Sequence, residues 1–175
     1  MKSIKLKYAT RLINHGPLLV VSSFYNEKQT FTPIMWNMPV EHEPPLVAVT
    51  ISKENFVNKL IKKSKVFALN ILEKEYLDKV IKLGEVSGKD VDKIKLTGFH
   101  IKNCKKINSN YIKEAIGILE CELYKTIKIG DVDIFIGKVV YCIANEKFKN
   151  NIWSDEIKTI HHIGSLKFVT TAPVK

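Results

Sequence analysis

Two short stretches gather the residue types that could hold an anion. At 50–56, "TISKENF", an apolar run gives way to Ser52, Lys53 and Asn55 just where a helix is expected to begin. A helix start offers unpaired N–H groups and the positive end of its dipole, so a hydroxyl and an ammonium beside it suit a phosphate. At 85–99, "EVSGKDVDKIKLTGF", Ser87, Gly88, Lys89 and Lys93 fall close together, with Asp90, Asp92 and Lys95 among them. A third stretch, "TPIMWNMPV" at 32–40, leaves a strand with Trp36 and Asn37 between two prolines. Each has a plainer reading on its own: Ser52 or Asn55 as a helix cap, Trp36 as core, and 85–99 as a solvated turn.

Other chemistries find less support. There is no GxGxxG and no GxxxxGK[ST], so neither a dedicated dinucleotide site nor a P-loop is expected. His15, His42, His100, His161 and His162 form no HExxH, and the adjacent pair 161–162 points to opposite faces of a strand, so no metal site is expected. A GxSxG elbow is absent. Cys104, Cys121 and Cys142 are odd in number and contain no CxxC, which fits free or buried thiols in a reducing cytosol. The net charge of +10 favours anionic partners, but the lysines are spread from Lys2 to Lys175 and Arg11 is the only arginine. Guanine readout is therefore poorly supplied, and no nucleic-acid partner is expected. The basic N-terminus has no apolar segment before Pro17, and no run could span a membrane, so a cytoplasmic protein is expected.

The elements that would position these groups follow from period and punctuation. "PLLVVSSFYNEKQTFTPIMW" reads as two strands joined by a polar turn at Asn26–Gln29, and "PPLVAVTIS" (44–52) as a strand buried on both faces. Val57, Leu60, Ile61 and Ser64 recur at helical spacing against Lys59, Lys62 and Lys63, which makes a short amphipathic helix. "VFALNIL" (66–72) returns to strand, and "EYLDKVIKLG" reads as a helix stopped by Gly84. "GILECELYKTIKIG" and "DVDIFIGKVVYCIA" make a long hairpin bent at Gly130-Asp131, with Leu119, Cys121 and Leu123 inward and Glu120 and Glu122 outward. "HHIGSLKFVTTA" adds a late turn and strand. With no linker or repeat, the reading is one domain over 1–175, mainly β, an antiparallel barrel with short flanking helices.

In chain order, "GPLLVVSS", "IMWNMPVEHEPPLVAVTIS", "LIKKSKVFALNI", "SGKDVDKIKLTGF", "IKEAIGILECEL" and "GDVDIFIGKVV" resemble the flavin reductase-like, FMN-binding split-barrel family, flavoredoxins included. The resemblance covers about residues 14–168. It implies a Greek-key split barrel that holds FMN non-covalently, usually as a homodimer with the flavin near the subunit interface. By that likeness Ile34, Met35, Trp36 and Asn37 run along the isoalloxazine and offer backbone N–H groups to its polar edge. Thr50, Ser52, Lys53 and the helix start meet the ribityl phosphate, while Ser87, Gly88, Lys89 and Lys93 close over the cofactor from the far side. The implied activity is that of an NAD(P)H-dependent flavin reductase, with NAD(P)H a transient donor and no catalytic side chain. The alternative is a flavoredoxin-type carrier reduced by an electron-transfer protein partner. A basic nucleic-acid-binding barrel is a distant third, since it would want exposed aromatics interleaved with cations. One departure bears on affinity: Val57 stands where many relatives carry threonine, and a lost charge-assisted hydrogen bond is worth about 1.5–3 kcal/mol.

Overall fold

The computed structural model describes residues 1–7, 9 and 16–174, Lys2 by its backbone alone, so Arg11 and His15 lie outside the described residues. Strands β1 (Lys2–Ser3), β2 (Leu19–Tyr25), β3 (Lys28–Ile34), β4 (Asn37–Glu41) and β5 (Leu46–Ser52) lead to helix α1 (Phe56–Ser64) and strand β6 (Val66–Ile71). A 3-10 turn runs into α2 (Leu77–Glu85), and α3 (Lys93–Thr97) precedes the small hairpin of β7 (Ile101–Asn103) and β8 (Asn110–Ile112). Next comes the long hairpin, β9 (Gly117–Ile129) and β10 (Val132–Ala144). Two short hairpins close the chain, β11 (Phe148–Lys149) with β12 (Ile152–Trp153) and β13 (Ile160–Gly164) with β14 (Lys167–Thr170).

The main sheet is antiparallel, in the order β3-β2-β6-β9-β10-β5-β4, with β1 paired to the far end of β10. β3 and β4 are the opposite edges of that path, yet only Met35 and Trp36 separate them in the chain. Three Cα–Cα steps reach about 11 Å at most. The edges therefore meet, and the sheet curls into a split barrel whose seam lies at this joint.

Two apolar layers hold the barrel. Alternation along the strands sends Leu19, Val21, Val49, Phe67, Leu119 and Phe135 into the interior, where α1 adds Val57 and Ile61. The opposite face of β2 and its neighbours packs Val20, Phe31 and Ile118 against Val80 and Leu83 of α2, Phe99 and Ile112. Gly137 makes the interior possible, since a Cβ there would lie 2.4 Å from Phe67 Cζ.

Several expectations need correction. The β2–β3 turn is only Asn26–Glu27, both in the left-handed region, so Lys28 and Gln29 are already strand. Gly84 does not stop α2, which runs on to Glu85. Its missing side chain lets the helix sit on β3, because a Cβ would come within 3.2 Å of Pro33 Cγ. The glycine stop is Gly98, which ends α3 with φ 63°. Glu120 does not face solvent: it is buried and accepts the amides of Lys105 at 2.8 Å and Lys106 at 2.7 Å.

Candidate functional site

At the seam, Ile34 turns into the barrel interior, while Met35 and Trp36 are exposed, Trp36 by 66%. Trp36 O accepts the Thr50 amide at 2.9 Å, which ties the joint to β5. Asn37 Nδ2 donates to Pro17 O at 2.9 Å and to Met35 O at 3.3 Å. Its Oδ1 is buried and has no partner among the described residues.

Two residues beyond Thr50 begins the turn into α1. Ser52 Oγ accepts the Glu54 amide at 3.3 Å, and the Lys53 amide donates to Asp131 O at 2.9 Å. Lys53 Nζ donates to Gly130 O in the β9–β10 turn. Asn55 occupies the N-cap of α1, but its side chain makes no capping bond, and the first turn holds no acid. The start of the helix thus keeps amide donors that its own side chains do not satisfy. Val57 is wholly buried in the barrel interior, so it offers nothing to this turn.

A buried polar cluster that the sequence reading missed lies beneath the turn. Asp133 of β10 pairs in register with Ile51, and its Oδ2 accepts Asn58 Nδ2 at 2.9 Å and Lys62 Nζ at 2.5 Å. Asn58 Nδ2 also donates to Ile51 O at 3.2 Å, fastening α1 to the end of β5. Burial pushes the Asp133 carboxyl up, but the Lys62 and Asn58 hydrogen bonds outweigh it and hold it below the ordinary value. The sequence signal was an acid inside the otherwise apolar "DIFIG" alternation.

The 87–93 segment sits elsewhere, against β3. Ser87 Oγ accepts the Lys89 amide at 3.2 Å, and Ser87 O accepts the amides of Asp90 and Val91, both at 3.1 Å. Gly88 approaches Thr30 so closely that a Cβ would lie 2.0 Å from Thr30 Oγ1. The close approach this glycine permits is thus made to the protein's own strand. Lys89 is exposed, whereas Lys93 is 5% exposed and donates to Leu83 O at 2.5 Å, in the last turn of α2. Burial pushes its ammonium down to about 8. Asp92 caps α3, its Oδ1 accepting the amides of Ile94 and Lys95.

The structure therefore brings 34–37 and 50–53 into contact and keeps 87–93 on a separate wall. Met35 shares an apolar cavity of about 300 Å³ with Gly84 and Glu85. Gly88 and Lys89 line a different cavity, of similar size, with Glu27, Asp90 and Asp92. The cysteines are free thiols, and burial pushes Cys142 up to about 12 and Cys121 well above its ordinary value. Among the described residues no cluster could hold a metal ion, and no helix is long and apolar enough to cross a membrane.

Comparison with known proteins bears on what this seam is for. The chain is 31% identical over 176 residues to the uncharacterized protein YddH of Escherichia coli (strain K12), covering 96% of this chain and 93% of that one. The FMN-binding domain of a flavin reductases-like enzyme from Shewanella baltica OS155 superposes with a TM-score of 0.89 at 20% identity, over 99% of this chain and 95% of that one. An FMN-binding protein from Thermus thermophilus, solved with bound p-hydroxybenzaldehyde, gives 0.81 at 26% identity, over 91% and 88%. The model of the flavin reductase like domain matches residues 11–161. A split barrel closed at Met35–Trp36, with an uncapped helix start beside its seam, is thus the form this sequence gives to the flavin reductase like domain family, to which the chain belongs.

Proposed function

We propose that the chain binds FMN non-covalently at the seam and moves electrons through it as an NAD(P)H-dependent flavin reductase. The observation that carries this reading is the hydrogen bond from the Thr50 amide to Trp36 O. It sets the exposed Met35–Trp36 joint in the same neighbourhood as an uncapped helix start flanked by Ser52 and Lys53. A flavin mononucleotide asks for that combination: backbone groups along its ring edge, and donors with a cation for its phosphate. The residues present fit the group. Lys53 has spent one of the three donors of its ammonium on Gly130 O. Lys89 is an exposed ammonium available to a ligand, whereas Lys93 serves α2.

Bound FMN would supply the electron transfer; the chain's residues would hold and orient it. A nicotinamide needs only to stack transiently on an exposed ring face, in keeping with the missing dinucleotide fingerprint. Exposed Trp36, Met38 and Val40 support a homodimer across the β4 edge, and free cysteines support a reducing, cytoplasmic setting. The second reading, a carrier reduced by another protein, is favoured by the net charge of +10, which suits an acidic partner. Titration with FMN followed by absorbance tests the binding, and a protein that stays colourless in excess FMN overturns it. Stopped-flow mixing of the loaded protein with NADH or NADPH then separates the roles: rapid bleaching marks a reductase, and none marks a carrier.

A further inference from the structure

Residues 52–57 carry the chain from Ile51, in β5, to Asn58, in the first turn of α1. Asn58 fastens the two ends of that stretch together. Its Nδ2 donates to Ile51 O at 3.2 Å and to Asp133 Oδ2 at 2.9 Å. An amide nitrogen has two hydrogens, so both are spent: one on the strand that enters the turn, the other on β10 beside it. β10 holds the turn a second time, where the Lys53 amide donates to Asp131 O at 2.9 Å.

This fastening is made of groups that burial disfavours. Asn58 and Asp133 are both wholly buried, and the second oxygen of each, Asn58 Oδ1 and Asp133 Oδ1, has no partner among the described residues. A buried acceptor left unpaired destabilises a fold, and an apolar pair of the same shape would avoid it. Local rules broken in this way are expected where a site needs a fixed geometry.

We infer that Asn58 is a positioning residue for the flavin phosphate, and that it sets the preference for FMN over riboflavin, the same flavin without its phosphate. By tying α1 to β5 it holds the Ser52 hydroxyl and the amides of the helix start in one arrangement before a ligand arrives, which spares the binding step their ordering. Asn58 is enclosed and uncharged, so its influence on the phosphate is through the turn alone. The inference rests on the FMN reading and names the side chain on which phosphate recognition depends.

The test titrates the full chain with FMN and with riboflavin, followed by flavin fluorescence. The native protein binds FMN at least tenfold more tightly. Asn58→Leu is close in size, alters no charge and removes both bonds; it lowers that ratio fivefold or more and changes riboflavin affinity less than twofold. A merely structural asparagine would weaken both flavins alike. Asn58→Ser, too short to reach both acceptors, carries the test where the leucine variant does not fold. In Asp133→Asn the amide oxygen still accepts from Asn58, and the ratio stays within threefold of the native one. Equal affinity of the native chain for the two flavins, equal losses in the Asn58 variants, or an unchanged ratio there overturns the inference. A tenfold change of ratio in Asp133→Asn also overturns it, since charge would then set the preference. A chain that binds neither flavin sinks the FMN reading and this one together, whereas FMN bound with a ratio indifferent to Asn58 sinks this one alone.

Discussion

At Lys93 an ammonium is buried against Leu83 O, and its pKa falls to about 8. An unfolded chain holds that proton up to about pH 10.4. Between about pH 8 and 10.4 the unfolded state therefore binds more protons, and stability rises with pH across that window. Urea midpoints should climb in the native protein relative to Lys93→Met as pH goes from about 7.5 to about 10, by at most about 3 kcal/mol. Asp133 behaves in the opposite sense. Its carboxyl is held below the ordinary value, so its contribution is present above about pH 3.9 and is lost as pH falls through the folded value. Asp133→Asn should cost about 1.5–3 kcal/mol near neutrality, and denaturation in acid should find the gap narrowed. Lys53→Ala should weaken FMN binding about tenfold in a fluorescence titration, in line with one charge-assisted hydrogen bond.

Among the elements, the β9–β10 hairpin depends on Gly137. A Cβ there would also lie 2.9 Å from Cys121 Cβ, besides its clash with Phe67. Gly137→Ala should cost about 1–3 kcal/mol by overpacking, and Phe67→Leu in the same chain should recover part of it, as a double-mutant cycle of unfolding would register. This hairpin was legible in the sequence because alternation and the Gly130-Asp131 bend are local signals. The end of α2 was not, because Gly84 answers to Pro33, far away in the chain. Glu120 was misplaced for the same reason: loop 105–106 covers it from a distance. α3 spans five residues, too few for a periodic pattern to be read. Of the candidate site, the seam and the α1 turn were legible as polar breaks in apolar runs. The burial of Lys93 was not, since no local feature announces that a lysine will cap a neighbouring helix.

Over the whole molecule, β4 presents Met38 and Val40 to solvent beside Trp36 on an edge strand. An exposed apolar edge is a pairing surface, so Met38→Glu should shift the proposed dimer towards monomer, measured by light scattering after gel filtration at micromolar concentration. The seam carries a further liability. Since Met35–Trp36 is the one covalent crossing between the two margins of the sheet, a protease that nicks the chain after Trp36, the kind of bulky aromatic that chymotrypsin-like enzymes seek, would turn a closed cylinder into an open curved ribbon. Two raw margins would then be free to stack on other molecules, and the cleaved protein should precipitate where the intact one stays dispersed.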